Sequence, residues 1–296
     1  MITLRQLRYF EALVRHRHFG RAAEECAVTQ PALSMQVAEL ETLIGVPLIE
    51  RQARQIQITE AGQEVARRAA AIALSVRELG DLARSKGENL TGTVRLGVIP
   101  TVAPYLFPTF HEALQVDYPG LQVVLRETKT DTLVRELREG VLDLLIVATP
   151  LDETGLCERT LFTEPFVLVG PAGGANEPVA REAVAAMRLL LLEEGHCLRD
   201  QALSFCNAEQ ARDTLDASSL TTLVQMTAAG LGETVIPAIA AEVECAGAAV
   251  TLRPFLPPAP SRTIGLVWRE TSPLAPHFEA LAARLEAVAR RVLELG

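Results

Sequence analysis

The sequence predicts an α/β protein in three parts: a small helical head, one long helix and a two-lobed α/β domain. Three patterns predict this division. Short amphipathic helices separated by a tight turn come first, an apolar heptad pattern follows, and strand-like and helix-like segments alternate through the remainder. With 296 residues, of which 49% are hydrophobic, the chain is long enough to bury more than one core.

Composition excludes several classes of protein. The formal net charge is -9, but positions 1–89 carry 12 basic and 11 acidic residues, so the acidic surplus lies in positions 90–296. This asymmetry favours a polyanionic partner for the N-terminal part. No apolar run approaches the roughly 18–20 residues of a membrane span, and the charged N-terminus does not resemble a signal peptide. Five cysteines are an odd number and too few for the disulfide framework of a secreted protein, so we expect a cytoplasmic chain with reduced thiols. We also expect no membrane partner.

Residues 1–58 are predicted to form a winged helix-turn-helix. Thr3 is placed to cap a first helix, a short second helix follows Gly20, and residues 27–29 form a turn. A third helix begins near Thr29, with Pro31 tolerated in its first turn, and buries one apolar stripe. Two short strands around residues 51–54 predict a hairpin or wing.

The polar outer face of the third helix is a candidate DNA-reading surface. Amide and hydroxyl side chains there can contact base edges in the major groove, while arginines of the first helix and the wing hold phosphates. The alternative is a small helical bundle whose outer glutamines are merely solvated. The candidate DNA-binding residues are Arg21, Thr29, Gln30, Pro31, Ser34, Met35, Gln36, Arg51 and Arg54.

Residues 59–89 are predicted to be a linker helix that pairs with a second copy. Apolar residues recur at alternating spacings of four and three, which is the heptad pattern of a coiled coil. Pairing would place two recognition helices on neighbouring half-sites of DNA. The predicted seam is Val65, Ala69, Ile72, Val76, Leu79 and Ala83.

Residues 90–296 are predicted to form two α/β lobes, each a parallel sheet with helices on both faces, and a small-ligand cleft between them. The predicted first lobe comprises about residues 90–162 and 268–296, and the second about 163–267. The glycines fit neither a dinucleotide fingerprint nor a phosphate-binding loop, and no metal-ligand spacing or serine elbow occurs in the sequence. We therefore expect no cofactor and no metal.

Cys197 and Cys206 are a candidate redox pair. In a helix they would lie about 13 Å apart at 1.5 Å per residue, whereas a disulfide needs Cα atoms about 4.4–6.8 Å apart. A bond would therefore require this segment to unwind, so oxidation would switch its conformation. His196 and Arg199 flank the first thiol, and a nearby cation is expected to lower its pKa. The alternative is a pair of cysteines that act as small buried hydrophobic residues.

Several motifs resemble the LysR-type transcriptional regulators along the whole chain, and the cysteine segment is similar to their hydrogen peroxide-responsive subgroup. The head motifs are Phe19-Gly20-Arg21-Ala22-Ala23, Thr29-Gln30-Pro31-Ala32-Leu33-Ser34 and Gly45-Val46-Pro47-Leu48. The subgroup motifs are Gly195-His196-Cys197-Leu198-Arg199-Asp200-Gln201-Ala202, Ile99-Pro100-Thr101-Val102 and Arg262-Thr263-Ile264-Gly265.

The resemblance implies a regulatory domain with the fold of periplasmic binding proteins and a peroxide-sensing site. Cys197 would be the peroxidatic thiol and Cys206 the resolving one. The implied peroxide pocket consists of Thr101, Thr130, His196 and Arg262. A histidine that relatives carry shortly after the cysteine pair has no counterpart at residues 213–216, so the response rate or threshold is expected to differ.

The resemblance also implies partners. They are double-stranded promoter DNA, RNA polymerase, a reductant of the glutaredoxin or thioredoxin type, and further copies of the chain in a homodimer or homotetramer. The protein would be a regulator and not an enzyme. Three alternatives are a regulator of this family that binds a metabolite between its lobes, a thiol peroxidase, and a periplasmic binding protein. The peroxidase leaves the DNA-binding head unexplained, and the binding protein lacks the expected signal peptide.

Overall fold

The computed structural model describes residues 1–50, 56–87, 89–174, 176–206 and 215–295, with only the backbone of residues 205, 206, 294 and 295. The chain divides into two compact units, Met1–Ala83 and Arg84–Gly296. None of the helices in these ranges is both long and apolar enough to cross a membrane.

Three helices form the head: α1 (Leu4–His16), α2 (Phe19–Glu25) and α3 (Gln30–Ile44). Thr3 caps α1 as predicted, through a reciprocal pair of hydrogen bonds with Gln6. Thr29 occupies the N-cap of α3, but its hydroxyl makes no capping hydrogen bond to the described helix residues. The three helices bury a shared core, and its most enclosed side chains are Phe10, Leu13, Leu33, Val37 and Leu40.

A two-stranded hairpin, β1 (Ile49–Glu50) and β2 (Gln57–Ile58), follows the head helices in antiparallel register. The predicted wing residues Arg51 and Arg54 lie outside the described residues. Helix α4 (Glu60–Arg84) comes next, and Gly62 lies so close to the hairpin that a Cβ atom would stand 2.2 Å from the Leu48 carbonyl oxygen. A side chain at this position would therefore push α4 away from the hairpin.

The predicted heptad seam divides into two portions. Val65 and Ala69 pack on the head's own core, so they are not free to pair with another copy. Ile72, Val76 and Leu79 are exposed by 44%, 43% and 66% respectively. The helix itself ends at Arg84, five residues before the predicted end of the linker. Its role in dimerisation stays a prediction.

The second unit alternates strands and helices. Its first half contains β3 (Gly92–Val98), α5 (Ala103–Asp117), β4 (Leu121–Glu127), α6 (Thr130–Arg138) and β5 (Leu144–Thr149). Its middle contains β6 (Leu156–Pro171), a 3₁₀ helix (Arg181–Ala186), β7 (Leu189–Leu192), α7 (Cys197–Cys206), β8 (Asp216–Ala217) and α8 (Leu220–Ala228). It ends with β9 (Glu233–Pro237), α9 (Ala238–Glu244), β10 (Val250–Pro254), β11 (Ser261–Arg269) and α10 (Ala275–Leu295).

The strands lie in the order β4-β3-β5-β11-β6-β9-β7-β8, with β10 on β6. Strand β3 pairs in parallel with β4 and β5, and β7 does so with β8 and β9. The prediction of purely parallel sheets was wrong, because β6 and β11 run antiparallel to each other and to their other neighbours. These two long strands lie between the two parallel groups of strands and join them. In chain order, β6 leads from the first group to the second, and β11 leads back to the first group.

Two hydrophobic cores lie in this unit. The first includes Phe110, Leu145, Trp268 and Phe278, and the second includes Phe166, Leu190 and Leu198. Residues 264, 266 and 267, which the sequence analysis assigns to the second lobe, contribute to the first core from the middle of β11. The lobe boundaries stay a prediction. The N-terminus of α7 and the loop before α6 meet between the cores, which positions the site described next.

Candidate functional site

Cys197 is the first residue of α7, directly after the turn that follows strand β7. Gly195 makes this turn possible, because its φ of +85° lies in the left-handed region that favours glycine. The thiol thus lies where the free N–H groups of the helix begin, and the Leu198 N–H favours its thiolate form. The predicted redox motif therefore lies on a strand-turn-helix junction.

A small pocket adjoins the thiol. The centre of a water molecule has about 10 Å³ in which to move there, which is the space of one small solute. The structure brings three of the predicted pocket residues to Cys197. The full lining is Ile99, Pro100, Thr101, Lys129, Thr130, His196 and Cys197.

Arg262 lies behind this pocket and holds Thr101. Its Nη1 donates to the Thr101 hydroxyl at 2.7 Å and its Nη2 to the Thr101 carbonyl oxygen at 3.0 Å. Because the hydroxyl oxygen accepts from the guanidinium, its own proton is free to be donated into the pocket. Thr130 Oγ1 is also buried, and the group it faces is the Cys197 thiol, whose thiolate form it favours. Both hydroxyl groups thus line the pocket that adjoins the thiol.

Glu164 anchors Arg262 from the opposite side. Its Oε1 accepts from Arg262 Nε at 2.9 Å, and both side chains are fully buried. The other oxygen of the same carboxylate, Oε2, accepts from the Ile239 backbone N–H at 3.0 Å, at the start of α9. A single buried carboxylate therefore fixes both the guanidinium and a helix N-terminus. Glu164 is not among the predicted site residues, because an isolated acidic residue in a strand gives no local signal of such a role.

Burial raises the pKa of the Cys197 thiol above its ordinary value. The charge of Arg262, the neighbouring Thr130 hydroxyl and the Leu198 N–H oppose this effect, but burial is the larger influence. The expectation that flanking cations would give a lowered pKa was therefore wrong. The resting pocket favours the neutral thiol.

The two flanking residues account for this difference. Arg199 Nη1 points away to Asp216 Oδ1 at 2.7 Å and to the Leu192 carbonyl oxygen at 2.8 Å. Burial and the charge of Lys129 lower the pKa of His196, so its imidazole favours the neutral form. Arg262, distant in sequence, is the cation that acts on the thiol instead.

Helix α7 contains both cysteines of the predicted redox pair and is continuous from Cys197 to Cys206, as the sequence predicts. Nine residues of helical rise separate their Cα atoms by about 13 Å. The side chain of Cys206 lies outside the described residues. Cys26 is buried, Cys157 and Cys245 are half-buried, and burial raises the pKa of all three thiols.

The candidate DNA-reading surface lies around the start of α3. The side chains of Arg21, Thr29, Gln30, Pro31 and Met35 are exposed, and those of Ser34 and Gln36 are half-buried. Gln36 Nε2 donates to Glu39 Oε2 at 3.0 Å, which orients the glutamine amide along the helix. Apart from Arg51 and Arg54, the predicted DNA-binding residues therefore share one region of the head.

Family models match both parts of the chain. The model of the bacterial regulatory helix-turn-helix protein, lysR family, matches residues 4–63, and the LysR substrate binding domain matches residues 87–290. The DNA-binding transcriptional dual regulator OxyR of Escherichia coli K12 is 40% identical over 291 residues, covering 97% of this chain and 95% of its own. The probable hydrogen peroxide-inducible genes activator of Streptomyces viridosporus is 43% identical over 296 residues, covering 97% and 95%.

Solved structures give the same result. A full-length OxyR variant from Pseudomonas aeruginosa superimposes with a TM-score of 0.78 at 35% identity, covering 96% of this chain and 95% of that one. A hydrogen peroxide-bound OxyR variant from Corynebacterium glutamicum gives a TM-score of 0.70 at 33% identity, covering 99% and 94%. The chain therefore belongs to the LysR family of bacterial helix-turn-helix regulators and, within it, to the OxyR group of hydrogen peroxide-inducible genes activators.

Proposed function

We propose that this protein is a DNA-binding transcription regulator that senses hydrogen peroxide by oxidation of Cys197. The observation that carries the proposal is the pocket itself: a thiol at a helix N-terminus, two threonine hydroxyls beside it, and room for one small solute. The small volume of the pocket matches hydrogen peroxide, which has only two heavy atoms, better than a metabolite of ordinary size.

The first chemical step uses the thiol and the two hydroxyl groups. As the thiol proton leaves, the Cys197 sulfur attacks one peroxide oxygen, an S–O bond forms and the O–O bond breaks. The sulfur loses two electrons, and the second oxygen departs as hydroxide and takes up the proton to become water. Thr101 and Thr130 would donate hydrogen bonds to the departing oxygen, and Arg262 would stabilise the negative charge through Thr101.

The second step requires α7 to unwind. The Cys206 sulfur attacks the sulfenic sulfur, an S–S bond forms, and hydroxide leaves and is protonated to a second water. Since disulfide Cα atoms lie about 4.4–6.8 Å apart, the helical separation of about 13 Å must close first. Loss of the helix would then alter the packing of Leu198 and Ala202 in the second core, which gives oxidation a structural consequence.

The remaining roles belong to the same proposal. The helix-turn-helix binds promoter DNA, α4 pairs two copies, and pairs of dimers form a tetramer on long sites. RNA polymerase is the partner at the promoter, and a reductant of the glutaredoxin or thioredoxin type would return the disulfide to thiols. The exposed apolar residues Ile72, Val76 and Leu79 support pairing along α4.

The test uses the full-length protein and genomic DNA fragments selected by it under reducing conditions. We expect the footprint on a selected fragment to change after stoichiometric hydrogen peroxide, and Cys197→Ser to keep the reduced footprint. Cys157→Ser is the matched control and is expected to respond as the native protein does. A footprint of Cys197→Ser that still responds to peroxide would contradict the proposal.

A further inference from the structure

Lys129 forms one wall of the pocket and has no role in the chemistry described above. It is the N-cap residue of α6 and lines the pocket together with Thr130 and Cys197. It is also one of only two lysines in the chain, the other being Lys86. Its side chain therefore requires its own explanation.

The Lys129 side chain crosses from the loop before α6 to the turn before α7. Its Nζ donates to the Glu194 carbonyl oxygen at 2.6 Å. Along the way its stem lies on the bare face of Gly195: a Cβ atom there would stand 3.1 Å from Lys129 Cδ, 3.9 Å from Cε and 3.7 Å from Nζ. The stem is thus held at both ends and covers the turn that carries the thiol.

The Lys129 stem lies beside the space in which an oxidant would meet the thiol. The pocket has room for one small solute, and the Lys129 stem occupies the adjacent space. Hydrogen peroxide has a proton on each oxygen and nothing further to accommodate. An alkyl hydroperoxide carries its alkyl group on the oxygen that leaves, so that group needs space beside the attacked oxygen.

We propose that Lys129 is a specificity-determining residue that restricts the pocket to hydrogen peroxide and excludes alkyl hydroperoxides. The inference rests on the proposed function, since it concerns the oxidant of the same thiol. With an alkyl hydroperoxide the sulfur attacks the terminal oxygen, an S–O bond forms, and the O–O bond breaks. The alkoxide that leaves takes up a proton to become the alcohol, and the sulfur loses two electrons, as with hydrogen peroxide.

The test measures how fast Cys197 is oxidised by tert-butyl hydroperoxide and by hydrogen peroxide, with sulfenic acid and disulfide trapped and quantified by mass spectrometry. The readout is the ratio of the two rates. Removing a steric wall equivalent to several methylene groups is expected to raise this ratio by about tenfold or more in Lys129→Ala. Lys129→Met keeps a stem of similar length without the Glu194 hydrogen bond, and its ratio is expected to lie between those of the native protein and Lys129→Ala.

Lys86→Ala is the matched control, because Lys86 is exposed and lies outside the pocket lining, and its ratio is expected to equal the native one. An unchanged ratio in Lys129→Ala, with native protein still oxidised by hydrogen peroxide, overturns the role of Lys129 and leaves the proposed function intact. Native protein whose Cys197 resists hydrogen peroxide would overturn the proposed function itself. A ratio in Lys129→Met equal to that of Lys129→Ala would show that the exclusion of alkyl hydroperoxides depends on the hydrogen bond from Lys129 Nζ to Glu194, and not on the length of the side chain.

Discussion

At the scale of single residues, the salt bridge between Arg262 and Glu164 determines the geometry of the pocket. Two fully buried charges are costly to desolvate, and they are tolerated here because the guanidinium also donates to both oxygens of Thr101. The carboxylate is likewise shared between Arg262 and the Ile239 N–H. Removing one member leaves the other charge buried without a partner.

Glu164→Gln is therefore expected to destabilise the protein. An amide cannot neutralise Arg262, so the free energy of unfolding should fall by about 3–5 kcal/mol, as for other buried pairs that lose one partner. Urea denaturation followed by circular dichroism measures this. Glu177→Gln is the control, because an exposed glutamate should tolerate the change within about 0.5 kcal/mol. Equal stability of Glu164→Gln and native protein would contradict the assigned role.

The pKa of Cys197 gives a second prediction at this scale. Because burial raises this pKa, alkylation of Cys197 by iodoacetamide should increase with pH and reach half its maximum above the ordinary pKa of cysteine. The Thr130 hydroxyl favours the thiolate, so Thr130→Val should move that midpoint to still higher pH. Peptide mass mapping across a pH series measures it, with Thr42→Val in the head as control. A midpoint that moved to lower pH would contradict this account of the site.

The site residues differ in how far the sequence could predict them. Thr101, Thr130 and Arg262 followed from a family resemblance, since they lie far apart in the sequence and no local spacing connects them. Glu164 and Lys129 were missed, because their roles depend on contacts with residues 98 and 65 positions away. A lowered pKa was predicted for Cys197 and the pKa is raised instead, because the residues next to Cys197 in sequence are not the charged groups that face its thiol.

At the scale of elements, α7 is the part of the fold that links thiol oxidation to a change of conformation in the proposed mechanism. Its helical form keeps the two cysteines apart, so its stability opposes disulfide formation but not the preceding attack on peroxide. The helix begins at Cys197 with its first N–H groups near the thiol and packs Leu198 and Ala202 into the second core. Its helical propensity should thus control the rate of the second step alone.

A pair of substitutions at the exposed position Ser204 tests this. Alanine and glycine differ by about 1 kcal/mol in helix propensity, so the disulfide should form up to roughly fivefold faster in Ser204→Gly than in Ser204→Ala. Both variants should form the sulfenic acid at the same rate, which is the internal control. Quenched-flow mass spectrometry separates the two steps. Equal rates of disulfide formation in the two variants would mean that α7 need not unwind before the bond closes.

Helix α4 carries an apolar stripe that the head does not cover. Leu79→Glu places a charge in that stripe and is expected to shift the protein from dimer to monomer and weaken its binding to paired DNA half-sites. Analytical ultracentrifugation measures the first effect. Ala71→Glu, on an exposed position off the stripe, should leave the dimer intact. A Leu79→Glu protein that sediments as the native one does would exclude pairing through this helix.

Most helices were predictable, because their periodic apolar faces and caps are local signals. The long strand β6 was not: its first residues, from Leu156 to Thr160, are half-buried or exposed and largely polar, and they lack the apolar run of a buried strand. The antiparallel pairing of β6 and β11 was missed for a related reason. Partners such as Phe162 and Ile264 are about a hundred residues apart, and strand direction depends on the complete topology.

At the scale of the whole molecule, two independently packed units carry two different kinds of chemistry. Met1–Ala83 holds the candidate DNA-reading surface, and Arg84–Gly296 holds the Cys197 thiol between two cores. The acidic surplus belongs to the second unit, so the negative net charge of the chain does not oppose DNA binding by the first. The uneven distribution of charge along the sequence predicted this division. Hydrogen peroxide as the signal could be inferred only from the pocket residues and from the family resemblance.

The central claim is that Cys197 reacts with hydrogen peroxide before any other thiol and then bonds to Cys206. The most direct measurement is peptide mass mapping of reduced native protein after stoichiometric hydrogen peroxide, with thiols trapped at short times. We predict a linked peptide containing Cys197 and Cys206 that forms faster than Cys26, Cys157 or Cys245 is oxidised. Oxidation of those three cysteines while Cys197 stays reduced would contradict the claim.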